Sequence, residues 1–283
     1  MTASASKVAR RKLTNVVFEA FCVVVTVVAL VALAAILWSL LSQGVGGLNL
    51  DIFTLSTPAP GSRGGLANAI VGSLMMCGLA MAIALVVGVL GGTWLAEYGG
   101  RSLYGSVVRF INDVLLSAPS ILVGLFVYEI LVAPMKGFSG FAGSVALALL
   151  AAPVIMRTTE DVLLLQAATL REAGVALGAP LSLVIRSILW RSGTSGILTG
   201  ALLAFARISG ETAPLLFTAL NNQFFSLDLR HATANLPVVI FNFALSAYDD
   251  WRRLAWAGAL LIAAFVLAVT ILARIVAKEQ RRS

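Results

Sequence analysis

The stretch that decides the fold spans residues 157–193 and reads "RTTEDVLLLQAATLREAGVALGAPLSLVIRSILWRSG". It is amphipathic and mostly free of helix breakers, with Gly178 and Pro180 as the interruption. These two residues predict two short helices joined by a turn. Long apolar segments lie on both sides of the stretch. A helical hairpin of this length between apolar segments indicates a membrane protein that grips a partner on one side.

Six apolar segments surround this hairpin, and a helix needs about 20 such residues to cross the hydrocarbon layer. The chain is 59% hydrophobic and 12% charged, whereas soluble domains carry about 25% charged residues. The fold class is therefore predicted as all-α, a polytopic membrane protein with six transmembrane helices. The predicted spans are 16–41, 69–96, 111–133, 138–156, 194–220 and 254–277.

A shorter apolar run, 236–247, is too short to span the membrane. Pro237 stands near its start, and proline is favoured in the first turn of a helix. We expect an interfacial or re-entrant helix there.

Positive charges are concentrated on one side of the predicted spans, which places both termini and the 157–193 hairpin in the cytoplasm. The chain then divides into a cytoplasmic tail, 1–15, and a single transmembrane domain, 16–283, with extracytoplasmic loops at 42–68 and 221–253. The net charge of +7 reports orientation and is no sign of nucleic-acid binding. The cations on the cytoplasmic side are Lys7, Arg10, Arg11, Lys12, Arg101, Arg109, Arg157, Arg171, Arg186, Arg191, Arg274, Lys278, Arg281 and Arg282.

The sequence lacks the motifs of several enzyme classes. No lysine follows a Gly-x-x-x-x-Gly loop, so the chain has no Walker site for ATP. The single histidine, His231, excludes a His-x-x-x-His zinc site within the chain. We expect no catalytic residue, no metal site and no bound cofactor. Energy for any transport must come from a gradient or from another subunit.

Two opposite charges interrupt the apolar segment 203–220, "LAFARISGETAPLLFTAL". A charge at the centre of a bilayer costs at least about 2.5–3.5 kcal/mol, so Arg207 and Glu211 need a reason to be there. At a spacing of four they share one face of a helix. One hypothesis is a structural ion pair that pins helices together. The other is an anion pathway, in which Arg207 attracts an oxyanion, Glu211 limits how tightly it is held and the Thr212 hydroxyl donates a hydrogen bond.

The third predicted span begins "RFINDVLLSAPSILVGLF" at residue 109. Asn112 lies at its cytoplasmic edge, and Ser117 and Pro119 lie inside it. Proline within a spanning helix frees a backbone carbonyl, which is tolerated where neighbours or a cavity satisfy it. We take Asn112 and Ser117 as candidate pathway residues, with a simple packing kink as the alternative.

The hairpin resembles the EAA signature of ABC importer permeases. Glu172, Ala173 and Gly174 are followed after three residues by Gly178, and Ile188 comes ten residues later. Two departures are plain: Gly174 replaces the second alanine, and Trp190-Arg191 replaces Leu-Pro. The resemblance implies that the first hairpin helix docks into an ATP-binding subunit. Its implied coupling residues are Arg171, Glu172, Ala173, Gly174 and Gly178.

Other blocks are similar to the PstA-type permease family of the bacterial high-affinity phosphate transporter. They are "LAEY", "RFINDVLLSAPSILVGLFVY", "APVIMRTTEDVL", "RISGETAPLLFTA", "NLPVVIFNFA" and "WAGALL". The resemblance covers most of the chain from about residue 65 to the C-terminus. It implies an inner-membrane subunit that forms half of a phosphate pathway, with Arg207 and Glu211 on that pathway.

The same resemblance implies an assembly of several chains. The partners are a second permease of the PstC type, two ATPase subunits of the PstB type that bind ATP and Mg²⁺, and a phosphate-binding protein of the PstS type. Membrane lipid surrounds the assembly, and no nucleic acid is expected. Two alternatives stay open: an ABC permease for another oxyanion, such as sulfate or molybdate, and a gradient-driven carrier that works alone.

Overall fold

The computed structural model describes residues 2–100 and 102–279, and this part of the chain contains helices and no strands. Arg101, Arg281 and Arg282, which contributed to the orientation prediction, lie outside the described residues. The helices are α1 (Thr2–Val45), α2 (Asp51–Thr54), α3 (Ala67–Trp94), α4 (Leu103–Ser117), α5 (Ser120–Val127), α6 (Ala133–Met135), α7 (Gly140–Leu164), α8 (Ala168–Ala176), α9 (Leu181–Val184), α10 (Trp190–Ile208), α11 (Ala213–Thr218), α12 (Leu236–Ala244) and α13 (Asp249–Glu279). Wider π-helical turns extend α3 and join α5 to α6 and α9 to α10; they span Leu95–Gly99, Tyr128–Val132 and Ile185–Leu189.

Four of the described helices are long and apolar enough to cross a membrane. They correspond to the first, second, fourth and sixth predicted spans. A fifth span arises if α4 and the α5–α6 segment, which meet at an angle of 106°, count as one. The all-α membrane fold is confirmed, whereas the described helices do not fix the number of spans at six.

The third and fifth predicted segments are not continuous helices, and the cause is local in both. The chain is extended at Ala118 (φ −64°, ψ 136°), directly before Pro119, because proline disfavours a helical conformation in the residue before it. In the fifth segment α10 ends at Ile208 and α11 starts at Ala213, with Pro214 in its first turn. A helical period in an apolar run does not reveal such breaks.

The core of the bundle is formed by α3 and α7, which pack at very short range because α3 presents glycines to α7. A Cβ atom at Gly92 would lie 2.4 Å from the Met156 carbonyl oxygen, and one at Gly88 would lie 2.7 Å from Ile155 Cβ. Small residues permit such close helix contacts in lipid, where dispersion contacts drive association. Helices α4, α5, α10 and α11 pack against α7, and α10 also contacts α3.

The 236–247 run contains the predicted short helix, α12, with Pro237 in its first turn. The Asn235 side chain caps it by accepting a hydrogen bond from the Val238 amide at 3.0 Å. Helix α12 packs against α13 and α3. This helix is therefore part of the folded bundle.

The 42–68 loop is joined to the segment after α11 by Asn68, which is buried. Its amide group donates to Thr57 Oγ1 at 3.0 Å and to the Asn222 carbonyl at 2.9 Å, and its carbonyl oxygen accepts from the Thr57 amide at 3.1 Å. One side chain thus satisfies polar groups of two loops.

Replacing Asn68 by alanine is expected to lower the free energy of unfolding by about 1–3 kcal/mol, because it leaves buried backbone groups without partners. The measurement is the thermal midpoint of the purified chain in detergent. Asn221→Ala is the control, since the Asn221 side chain only accepts from the adjacent amide of Asn222. Equal midpoints for the two variants would contradict the structural role of Asn68.

Candidate functional site

The candidate pathway lies where α10 ends. Arg207 occupies the last turn of α10, and Glu211 follows in the non-helical link, so the predicted placement of both charges on one continuous helix is wrong. They still meet, with Arg207 Nε 3.8 Å from Glu211 Oε1. The Arg207 side chain is 45% exposed, against 19% for Glu211. At 3.8 Å the pair is loose, and the exposed guanidinium has room for a further acceptor.

Thr212 is the last residue of the link and directly precedes α11. Its carbonyl oxygen accepts from the amides of Leu215 and Leu216 at 3.1 and 3.2 Å. Helix α11 then packs against α5 at Gly124, where a Cβ atom would lie 2.6 Å from Pro214 Cα. The two short helices that follow the two breaks are thus in direct contact.

The same hydrophobic cluster borders both breaks. Ala118, from the first break, packs against it, and it contains Ile208 and Leu215 from either side of the second. Ser117 is exposed beside the first break, and its hydroxyl donates to the Val114 carbonyl at 3.0 Å. Transporters place substrate sites at discontinuous helices, where the interrupted backbone lines a cavity. The fold therefore brings Ser117, Arg207, Glu211 and Thr212 to the ends of interrupted helices.

Asn112 has different surroundings from the other candidate pathway residues. It is buried between α4 and α7, where its side-chain amide donates to the Pro153 carbonyl at 3.3 Å. This contact fixes α4 against α7 at the helix that carries the first break.

The 157–193 stretch contains the predicted hairpin, but it begins later than expected. Helix α7 continues past residue 156 to Leu164, and α8 is the first hairpin helix. Gly178 has φ +79°, a conformation that glycine adopts without strain, and so permits the turn to α9. A Cβ atom at Gly174 would lie 2.7 Å from Val184 Cγ2, which explains why glycine replaces the second alanine of the signature.

The exposed surface of α8 carries two of the predicted coupling residues, Glu172 and Ala173. The Arg171 guanidinium instead points into the chain, with Nη2 2.6 Å from Glu97 Oε1 and Nε 2.9 Å from Glu97 Oε2. The hydrogen bond to the Glu97 carboxylate raises the pKa of Arg171 above its ordinary value. Glu97, which the sequence analysis did not single out, is therefore part of the same site.

Trp190 also has a defined role. Its indole Nε1 donates to Thr93 Oγ1 at 3.0 Å, which joins the start of α10 to α3. Arg191 continues the helix where the signature has proline. The Trp190-Arg191 departure thus extends a continuous helix that is tied to the second span.

Within the described residues, no group of three or more His, Cys, Asp or Glu side chains is placed to hold a metal ion. The two cysteines are far apart in sequence and both are free. The site is instead a loose ion pair at interrupted membrane helices, together with the α8–α9 hairpin and its exposed residues. Broken membrane helices and the α8–α9 hairpin fit one class of protein, the membrane-spanning component of an ABC importer.

Comparison with known proteins supports this class of protein and identifies the family within it. The family model for the inner membrane component of binding-protein-dependent transport systems matches residues 88–282. A chain of the MetNI methionine ABC transporter, solved in inward-facing conformations, superposes with a TM-score of 0.62 at 18% identity, over 75% of this chain and 94% of that one. This likeness shows the ABC permease fold.

The chain belongs to the PstA family of phosphate transport system permease proteins. It is 51% identical to the PstA protein of Haemophilus influenzae over 265 residues, which is 94% of each chain. It is 54% identical to that of Yersinia pestis over 247 residues, 87% of this chain and 84% of the relative. A probable PstA protein of Methanocaldococcus jannaschii is 33% identical over 260 residues, 90% of each.

Proposed function

We propose that this chain is the permease subunit of an ATP-driven phosphate importer and forms half of the translocation pathway. The observation that carries the proposal is the identity of about half of all residues to PstA proteins over nearly the whole chain. The blocks around the broken helices and α8 fall within the matched family region, 88–282. The protein acts as a transport subunit, and ATP hydrolysis belongs to a partner.

The proposed pathway passes the ends of the broken helices. Phosphate is an oxyanion, and a guanidinium can donate two parallel hydrogen bonds to it. The loose contact of Arg207 with Glu211 lets phosphate compete for the arginine, and the carboxylate then assists release. Thr212 and Ser117 add hydroxyl groups along the path. Asn112 contributes indirectly, by holding α4 in position.

The proposed partners bind the chain on both sides of the membrane and within it. A PstB-type ATPase dimer binds α8 on the cytoplasmic side through Glu172 and Ala173. Gly174 lets α8 pack closely on α9, and Gly178 permits the turn between them. A PstC-type permease completes the pathway, and a PstS-type protein delivers phosphate from outside. Both termini are on the cytoplasmic side of the bacterial inner membrane in this arrangement, following the positive-inside rule.

Labelled-phosphate uptake at low concentration tests the proposal, in cells that lack their own copy of this permease but contain the three partners. The intact chain is expected to restore uptake. If it inserts at normal levels and restores none, the phosphate assignment is wrong, and sulfate and molybdate uptake are the next measurements.

Glu172→Lys is expected to abolish uptake in the same cells while the chain reaches normal membrane levels. Glu172 is exposed on α8, so its replacement is expected to leave the fold intact and reverses the charge at the proposed ATPase contact. Glu129→Lys is the matched control, because it reverses an exposed carboxylate outside the coupling hairpin. Full uptake by the Glu172 variant would show that α8 does not dock through this residue.

A further inference from the structure

Two arginine–glutamate pairs lie near the base of the coupling hairpin, and both carboxylates are almost fully buried. Arg171 of α8 pairs with Glu97 at 2.6 Å, and Arg109 of α4 pairs with Glu160 of α7 at 2.6 Å. The side chains of Glu97 and Glu160 are 3% and 4% exposed. Buried carboxylates are retained at low cost only when they are paired and hydrogen-bonded. Each glutamate therefore depends on its arginine.

Each arginine also binds the carbonyl end of a second helix. Arg109 donates to the carbonyl oxygens of Leu95 at 3.0 Å and Gly100 at 2.8 Å, where the α3 helix ends. Arg171 donates to those of Leu163 at 2.7 Å and Gln166 at 3.0 Å, where α7 ends. The last carbonyls of a helix lack intrahelical partners and favour a cation.

The two sets of contacts are crossed. Arg171 binds a carboxylate at the end of α3 and carbonyls at the end of α7. Arg109 binds a carboxylate of α7 and carbonyls at the end of α3. Apart from these contacts, α8 packs mainly against its own hairpin, on α9 and the π-helical turn that leads into α10. Arg171 therefore links α8 directly to the ends of α3 and α7, beside the route through the hairpin into α10.

We infer that Arg171, Glu97, Glu160 and Arg109 form a crossed clamp that makes α8, the ends of α3 and α7, and α4 move as one unit. A movement of α8 is then transmitted to the first break, at the C-terminal end of α4, and is not lost in flexible loops between the helices. The four side chains are positioning residues for transport, and the inference rests on the proposed function. Arg171 acts inside the chain, while Glu172 beside it faces the partner.

The competing explanation is that the four residues only stabilise the fold. The number of phosphate ions taken up per ATP hydrolysed distinguishes the two explanations. The double variant Glu97→Gln with Arg171→Met removes one of the two ion pairs of the clamp. The assembled transporter that contains this variant is reconstituted in vesicles. The clamp predicts that phosphate uptake falls about tenfold or more while ATP turnover stays close to that of the intact assembly, since charge-assisted contacts are lost but the exposed α8 surface is kept. Parallel loss of uptake and ATP turnover, or full uptake, would overturn the inference.

The matched control is the double variant Arg157→Met with Asp161→Asn. These residues also form an ion pair near the end of α7, at 3.5 Å, but both side chains are about half exposed. Uptake and ATP turnover are expected to stay unchanged in the control. If the intact assembly takes up no phosphate, the proposed function has failed, which is distinct from a failure of the clamp variants alone.

A distance measurement tests the clamp without substituting it and without phosphate. Spin labels at Leu103 on α4 and Leu177 after α8 stand on highly exposed positions, in a chain whose Cys22 and Cys77 are replaced by alanine. In the assembled transporter, the clamp predicts the same distance distribution with and without ATP. A nucleotide-dependent shift beyond the width of that distribution would show that α8 and α4 move separately.

Discussion

Replacing Arg207 by glutamine is expected to reduce phosphate uptake by about 10- to 100-fold with no loss of chain from the membrane. Hydrogen bonds to a charged group contribute about 1.5–3 kcal/mol, and 1.4 kcal/mol corresponds to a factor of ten. Glutamine keeps much of the length but offers one neutral amide in place of the charged fork. The measurement is labelled-phosphate uptake beside the amount of inserted chain.

A double variant separates the pathway hypothesis from the structural ion pair. If Arg207 and Glu211 only neutralise each other, Arg207→Gln with Glu211→Gln removes both charges and restores uptake toward the intact level. If phosphate uses the guanidinium, the double variant stays as inactive as Arg207→Gln alone. The exposed Arg207 side chain and its 3.8 Å distance to Glu211 favour the second outcome.

The matched control for Arg207 is Arg157→Gln. Arg157 has the same spacing to its carboxylate, Asp161, and a similar exposure of 46% against 45%. It lies near the end of α7, which is continuous there, so its loss is expected to leave uptake unchanged. Equal losses from the two arginine variants would assign the effect to total charge instead of to position.

Features set by a single residue type were predictable from the sequence. Gly178 and Pro180 predicted a turn, and the structure has the α8–α9 turn there with Gly178 at φ +79°. The apolar runs predicted the long helices α1, α3, α7 and α13. Pro237 predicted the start of α12. In each case the local chemistry of the chain decides the outcome.

Features set by contacts between distant segments were not predictable in the same way. The resemblance placed Arg171 among the residues that contact the ATPase, yet its guanidinium pairs within the chain with Glu97, 74 positions away. Pro119 indicated a disturbance in the third span, but it did not reveal the 106° bend or the packing of α5 against α11. One sequence alone carries no record of such pairings.

Gly92→Leu is expected to have the largest effect on folding of any change considered for the described helices. A Cβ atom at this position would lie 2.4 Å from the Met156 carbonyl oxygen, 2.7 Å from Thr159 Cβ and 3.1 Å from the Glu160 amide nitrogen. Two of these three atoms belong to the α7 backbone, which cannot rotate away as a side chain does. Overpacking costs about 1–3 kcal/mol and occasionally more, and leucine adds three further carbons beyond Cβ.

The matched control lies on the same helix. Gly78→Leu meets nothing within 4 Å of its Cβ atom, and leucine is a better helix former than glycine by about 1 kcal/mol or slightly less. We expect Gly78→Leu to keep or raise the thermal midpoint of the purified chain and Gly92→Leu to lower the yield of folded chain severely. Because Gly92 contacts the turn of α7 that carries Glu160, Gly92→Ala is expected to fold better than Gly92→Leu but to transport poorly. Normal folding of Gly92→Leu would mean that α3 and α7 separate easily, and then neither the clamp nor the pathway could depend on their close packing.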